Sequence, residues 1–170
     1  MQYHGERMAS NDYENVSVFA FQKNMKARLR DMQVQSIKDH RHAIDYLESR
    51  SDVDATKIAV VGYSNGGMIV FNLASVDSRI KVAVSSVNPI IKQQYSILNS
   101  FNLAPFITNI PFLMLNGKTD KFSSIPDSKK LFSIIGSEEK EIKFYNSGHH
   151  LPIEWTNDAL DWLNKYLKKQ

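Results

Sequence analysis

Between Asp31 and Arg50, Val34, Ile37, the aliphatic stem of Arg41, Ile44 and Leu47 recur every three to four positions. That spacing predicts a helix with one buried side. After the polar turn "SDVDAT", the run "KIAVV" at 57–61 is short, continuous and rich in β-branched residues, as in a parallel strand buried on both faces. The alternation then repeats: a helix over 66–76, a strand "KVAVSS" over 81–86, a mixed segment over 88–110 and a strand "PFLMLN" over 111–116. A helix from Pro126 to about Ile135 follows, with the proline in the first turn where its missing N–H does no harm. A fourth strand, "EIKFYN", spans 141–146. The final helix runs from Ile153 to Leu167, with Trp155, Ala159, Leu160, Trp162, Leu163 and Leu167 as its buried side. Upstream the periodicity is weak; "VSVFAF" at 16–21 fits a short strand or the start of a helix, and helix or loop is preferred.

A β-α-β-α order needs crossover connections, so it predicts an α/β fold in which a parallel sheet carries helices on both faces. The 170 residues suffice for one domain with a real core and are too few for two. With 42% apolar and 23% charged residues the chain has an ordinary globular composition. A net charge of +3, scattered except at the tail Lys168 and Lys169, does not point to nucleic acid. Cysteine is absent, which rules out disulfides and thiolate chemistry. No apolar run approaches the roughly 20 residues that span a bilayer, and residues 1–30 hold no signal-peptide core. A cytoplasmic, non-membrane protein is expected.

In a parallel α/β sheet, ligands bind in the loops at the carboxyl ends of the strands. After the first of these strands comes Gly62-Tyr63-Ser64-Asn65-Gly66, after the third Gly117-Lys118-Thr119-Asp120, and after the fourth Gly148-His149-His150. Serine, acid and histidine therefore share one rim. The GxSxG spacing suits a sharp strand-to-helix bend, where flanking glycines avoid side-chain clashes and the serine hydroxyl is pushed out of the sheet. The N–H of Asn65 would open the next helix and face the oxygen that turns negative when Ser64 attacks a carbonyl. An imidazole would take the serine proton, and a carboxylate on its other nitrogen would fix the tautomer.

A GxSxG pattern alone has a chance probability of roughly 5% in a chain of this length and composition. Its placement at a strand-helix junction, with an acid and a histidine after later strands, raises the specificity. Ser64 as a mere turn residue, or Asp120 as a turn aspartate bonding its own backbone, are the plainer readings. Asp127 competes as the acid, but it sits in the first turn of a helix, where the helix dipole favours a carboxylate without any chemistry. His149 and His150 compete as the base. His40 and His42, two positions apart, face different directions and make a poor metal site; they read as solvated, and Asp39, Asp45 and Glu48 as helix-surface charges.

The stretches "YHGER" (3–7), "DHRHAIDYLESRSDVDATKIAVVGYSNGGM" (39–68), "LNGKTD" (115–120) and "SGHHLPIEW" (147–155) resemble the α/β-hydrolase superfamily, in particular bacterial esterases of the acetyl esterase and dienelactone hydrolase type. The resemblance covers most of the chain. It implies Ser64 as nucleophile, Asp120 as acid and, because the histidine directly after the glycine is the usual base, His149. No cofactor and no metal are implied. In such relatives an HGxR-like stretch follows the fourth strand of an eight-stranded sheet, and an earlier loop supplies a second oxyanion donor. Only two residues precede Tyr3 here, so the expectation is the C-terminal portion of an α/β-hydrolase fold, a single domain over 1–170 with the N-terminal strands missing. Weak or no activity of the isolated chain is expected, unless it dimerises or another loop supplies the donor, since one oxyanion donor is worth on the order of 3 kcal/mol. A homodimer or a complementing chain is expected over the exposed sheet edge.

The function expected is hydrolysis of a small carboxylic ester through an acyl-enzyme. Tyr63 and Tyr95 are the substrate contacts expected, the latter within 88–110, which would shape the acyl pocket. Two rivals stand beside this reading: a serine peptidase of prolyl oligopeptidase type, and a degenerate fragment that keeps the triad residues without a working site.

Overall fold

In a computed structural model the residues described are 26–90 and 97–168. The run 16–21, the "YHGER" stretch and Tyr95 lie outside them. Strands β1 (Ile58–Tyr63), β2 (Ile80–Ser86), β3 (Phe112–Gly117) and β4 (Lys140–Tyr145) pair in parallel in the order β1-β2-β3-β4. Helix α1 (Lys26–Glu48) precedes β1, α2 (Asn65–Val76) links β1 to β2, and the short α3 (Ser100–Leu103) lies between β2 and β3. Helix α4 (Ile125–Ser133) links β3 to β4, and α5 (Trp155–Leu167) follows β4. The parallel α/β sheet expected from the alternation is present.

The two-residue period of the strands separates two cores. Ala83, Phe112 and Met114 pack with Ile44 of α1, Val70 and Phe71 of α2 and Leu131 of α4. Val82, Val84, Leu113 and Leu115 pack on the other side with Ala159 and Trp162 of α5. Helices therefore cover both faces. Every residue of β3 is buried, as a central strand needs, whereas β4 leaves Glu141 and Lys143 exposed at the sheet's border. At the opposite border among the described residues, Val61 of β1 is 44% exposed.

Some expected boundaries and side-chain roles change. The last helix begins at Trp155 rather than Ile153, and Ile153 and Leu160 are exposed. Leu160 falls off the buried stripe because Ala159 and Trp162, three apart, already define the side facing the sheet. In α1, the Arg41 side chain is half exposed, and its Nε donates to Asp77 at 3.1 Å. His42 is exposed as expected, but His40 is half-buried with Nδ1 2.7 Å from the Ser36 carbonyl. Asp45 and Glu48 are exposed on the helix as expected, and both bind Arg79 Nη1, at 2.5 and 2.8 Å. Arg79 also grips the buried Asp77 at 2.7 Å, so one ion cluster ties α1 to the turn between α2 and β2. The Arg79 hydrogen bonds hold the Asp77 carboxyl down at about 2.

Candidate active site

Ser64 sits between the last residue of β1 and the first of α2 at φ 56°, ψ −117°. A positive φ on a non-glycine residue is strained by about 1–3 kcal/mol and persists only where its surroundings enforce it. Here the Ser64 N–H donates to the Ser86 carbonyl of β2 at 2.9 Å, and the Ser64 carbonyl accepts from Met68 N at 3.3 Å, the first turn of α2. The bend closes so tightly that a Cβ on Gly62 would lie 2.2 Å from the Gly66 carbonyl oxygen. Glycine at 62 is therefore a steric requirement. Asn65 is the first residue of α2, so its N–H has no partner within the helix and lies at the positive end of the helix dipole.

The acid and the histidine reach Ser64 from the far end of β3 and β4. Lys118 N donates to the Tyr145 carbonyl at 2.9 Å and Thr119 N to the Ser147 carbonyl at 3.0 Å, extending the β3-β4 pairing into both loops. The loops touch at Gly117, where a Cβ would meet the Gly148 carbonyl oxygen at 2.0 Å. Beyond this junction Asp120 Oδ2 lies 2.9 Å from His149 Nδ1, and His149 Nε2 lies 2.8 Å from Ser64 Oγ. The Asp120 carboxylate is fully shielded from solvent while the imidazole remains 22% exposed. Three side chains that lie 29 and 85 positions from one another along the chain thus form one hydrogen-bonded line.

Asp120 is also the turn residue that its plainer reading implies. Its Oδ1 accepts from Phe122 N at 2.8 Å, and its Oδ2 takes a longer bond from Ser123 Oγ at 3.3 Å. Buried carboxylates need such donors, and here they orient the oxygen that meets the imidazole. Asp127 is occupied elsewhere: Ser124 caps α4 by accepting from Asp127 N, and its hydroxyl donates to the Asp127 carboxylate at 2.6 Å. His150 is exposed, with its ring 6.2 Å from that of His149.

Tyr63 occupies a place that the sequence pattern does not reveal. Its hydroxyl donates to the His149 carbonyl at 2.6 Å and accepts from Leu151 N at 2.9 Å, while its ring packs on Trp155 at 5.4 Å between centroids. The residue before the serine thus pins the histidine loop to the end of β1. A second unanticipated feature is Val87, buried at φ 44° directly after β2, with its N–H 2.7 Å from the Leu115 carbonyl. No glycine marks that position, so composition offers no hint of it. Phe122, absent from the sequence expectations, lies edge-to-face on the His149 ring at 4.9 Å. Among the described residues no group of three metal-binding side chains converges, and no helix is long and apolar enough to cross a membrane.

Comparison with known proteins follows the same lines. The model of the dienelactone hydrolase family matches residues 4–151. The chain is 27% identical over 104 residues to "Putative hydrolase YtaP" of Bacillus subtilis, a match that covers 61% of this chain and 35% of that protein. Among solved structures, a cold-adapted esterase from an Arctic intertidal metagenomic library superposes with a TM-score of 0.70 at 23% identity, over 82% of this chain and 63% of that one. An acetyl xylan esterase from Paenibacillus sp. R4 gives 0.72 at 22% identity, over 80% of this chain and 54% of that one. The chain therefore spans about a third of that curated relative and between about half and two thirds of these solved chains, and at such identities the structural likeness is one of fold. With the family model matched over most of its length, from residue 4 to residue 151, the chain belongs to the dienelactone hydrolase family.

Proposed function

We propose that this chain carries the catalytic machinery of a serine esterase acting on small carboxylic esters. The observation that supports it most is the unbroken line from Ser64 Oγ through His149 to Asp120, at 2.8 and 2.9 Å. Ser64 Oγ attacks the ester carbonyl and passes its proton to His149 Nε2. The carbonyl oxygen gathers negative charge near the Asn65 N–H, and Asp120 stabilises the imidazolium through Nδ1. The carbon–oxygen bond to the alcohol then breaks, and His149 returns the proton to the departing alkoxide. Water repeats the sequence in reverse roles, releasing acid and free serine.

Family membership and fold likeness to esterases support the reaction class; the triad roles rest on the site geometry. The outer edge of β1, where Val61 is half exposed, is the place this reading gives to a second copy or a complementing chain. A fluorophosphonate probe is expected to label the folded protein, with labelling abolished by Ser64→Ala. p-Nitrophenyl acetate turnover is expected to fall by at least a thousandfold in that variant. Absence of labelling in a folded sample supports the degenerate reading instead, and faster turnover of peptide p-nitroanilides than of esters supports the peptidase.

A further inference from the structure

Phe122 combines a fixed backbone with an exposed side chain. Its backbone is held at both ends, the N–H by Asp120 Oδ1 at 2.8 Å and the carbonyl by the Ile90 N–H at 2.9 Å. The residue is nevertheless 58% exposed, beside Ser123 at 2%. One side of its ring meets the His149 imidazole edge-to-face, with centroids 4.9 Å apart, a favourable aromatic geometry. An apolar surface is thus fixed in position and left open beside the nitrogen-bearing ring that Ser64 touches.

The chemistry of the site says which part of a substrate meets it. To protonate the leaving oxygen, His149 Nε2 must come within hydrogen-bond reach of it. The alcohol half of the ester therefore leaves alongside the imidazole, whereas the acyl half stays on Ser64. We infer that Phe122 is a shelf for the alcohol half of the substrate and gives the site a preference for esters of apolar alcohols. This rests on the esterase reading above and adds the substrate class.

The Phe122→Ala variant tests it cleanly, because the two hydrogen bonds that hold the acid loop come from the backbone and survive the substitution. Acetates of ethanol, propanol and butanol differ in alcohol size but little in leaving-group basicity. On the wild-type chain kcat/KM is expected to rise roughly twofold to fourfold per added methylene, the upper figure being full burial of that group. Phe122→Ala is expected to flatten that slope, Phe122→Leu to restore part of it, and both to leave the slope along p-nitrophenyl acetate, butyrate and hexanoate unchanged. An alcohol slope untouched by Phe122→Ala, or a flattened acyl slope, overturns the shelf.

A binding measurement separates this proposal from the esterase reading. In Ser64→Ala protein, benzyl alcohol is expected to shift the His149 ring signals in an NMR titration that saturates, glycerol is not, and adding Phe122→Ala is expected to abolish the effect. Benzyl alcohol binding that depends on Phe122 in a protein whose serine resists fluorophosphonate sinks the esterase and leaves the shelf. No shift up to the solubility limit, or a shift indifferent to Phe122, overturns the shelf itself.

Discussion

At Asp120 one carboxylate meets three partners, and the division between its oxygens lets the turn residue also take the orienting role proposed for it. Oδ1 closes the turn onto Phe122 N, and Oδ2 faces His149 Nδ1. Asp120→Asn is expected to keep the fold by circular dichroism, since the amide oxygen can still close the turn. It is expected to lower kcat on the order of 10⁴-fold, because an amide facing Nδ1 favours the wrong tautomer. The Tyr63 hydroxyl bonds the backbone of the histidine loop, so the role proposed for it is to position His149. In Tyr63→Phe the His149 carbonyl and the Leu151 N–H both lose their partner; a stability loss of about 1–3 kcal/mol is expected in chemical denaturation. kcat should fall about tenfold with KM little changed, and a KM effect without a kcat effect would assign Tyr63 to substrate contact instead. That Ser64, Asp120 and His149 stand on one rim was legible because each follows a strand. Tyr63 and Phe122 were not, because their contacts cross 86 and 27 positions of chain and leave no spacing to read.

Among the elements, the strand ends set the distances on which the chemistry depends. Gly117 and Gly148 belong to the same junction but differ in what they must be. A Cβ at Gly117 would sit 2.0 Å from a backbone oxygen, while one at Gly148 would find its nearest neighbours at 3.8 Å. Gly117→Ala is therefore expected to force the acid and histidine loops apart, lowering the melting temperature by several degrees and the fluorophosphonate labelling rate by more than tenfold. Gly148→Ala should leave both nearly unchanged, and equal damage from the two would show that the junction is not what aligns the loops. The elements themselves followed from local pattern: each of the four strands and the helices α2, α4 and α5 lies within two residues of its expected bounds, while α1 begins five residues before the expected Asp31. Buried strands reveal themselves as continuous apolar runs, and amphipathic helices by their stripe. The mixed segment 88–110 showed neither period and holds only the short α3 and one further turn of helix, Ala104–Phe106, among its described residues.

Across the whole molecule, α1 is joined to the rest by the charges around Asp77 as well as by Ile44. Because Arg79 and Arg41 hold the folded-state pKa of Asp77 at about 2, below its ordinary value of 3.8, the carboxylate stabilises the fold. That stabilisation is complete above about pH 4 and is lost as the pH falls from there toward 2, a contribution on the order of 2 kcal/mol. Urea unfolding at pH 6 and pH 3 is expected to show this loss, and Asp77→Asn should reduce the difference between the two; an unchanged difference would move the acid sensitivity to other carboxylates. Asp45 and Glu48 lie on the helix surface as the sequence suggests, but nothing local reveals that Arg79, more than 30 positions away, comes to meet them.

The residue order alone determined the parallel α/β sheet, its covered faces and the rim on which serine, acid and histidine stand, because hydrophobic period and turn chemistry act between near neighbours. Only the tertiary structure decided that Ser64, His149 and Asp120 share a hydrogen-bonded line, that Tyr63 holds the histidine loop, and that Phe122 stands open beside the imidazole. Those outcomes depend on how strands distant in sequence twist and pack together. They also depend on close backbone contacts such as Gly117 against Gly148, which no periodicity records.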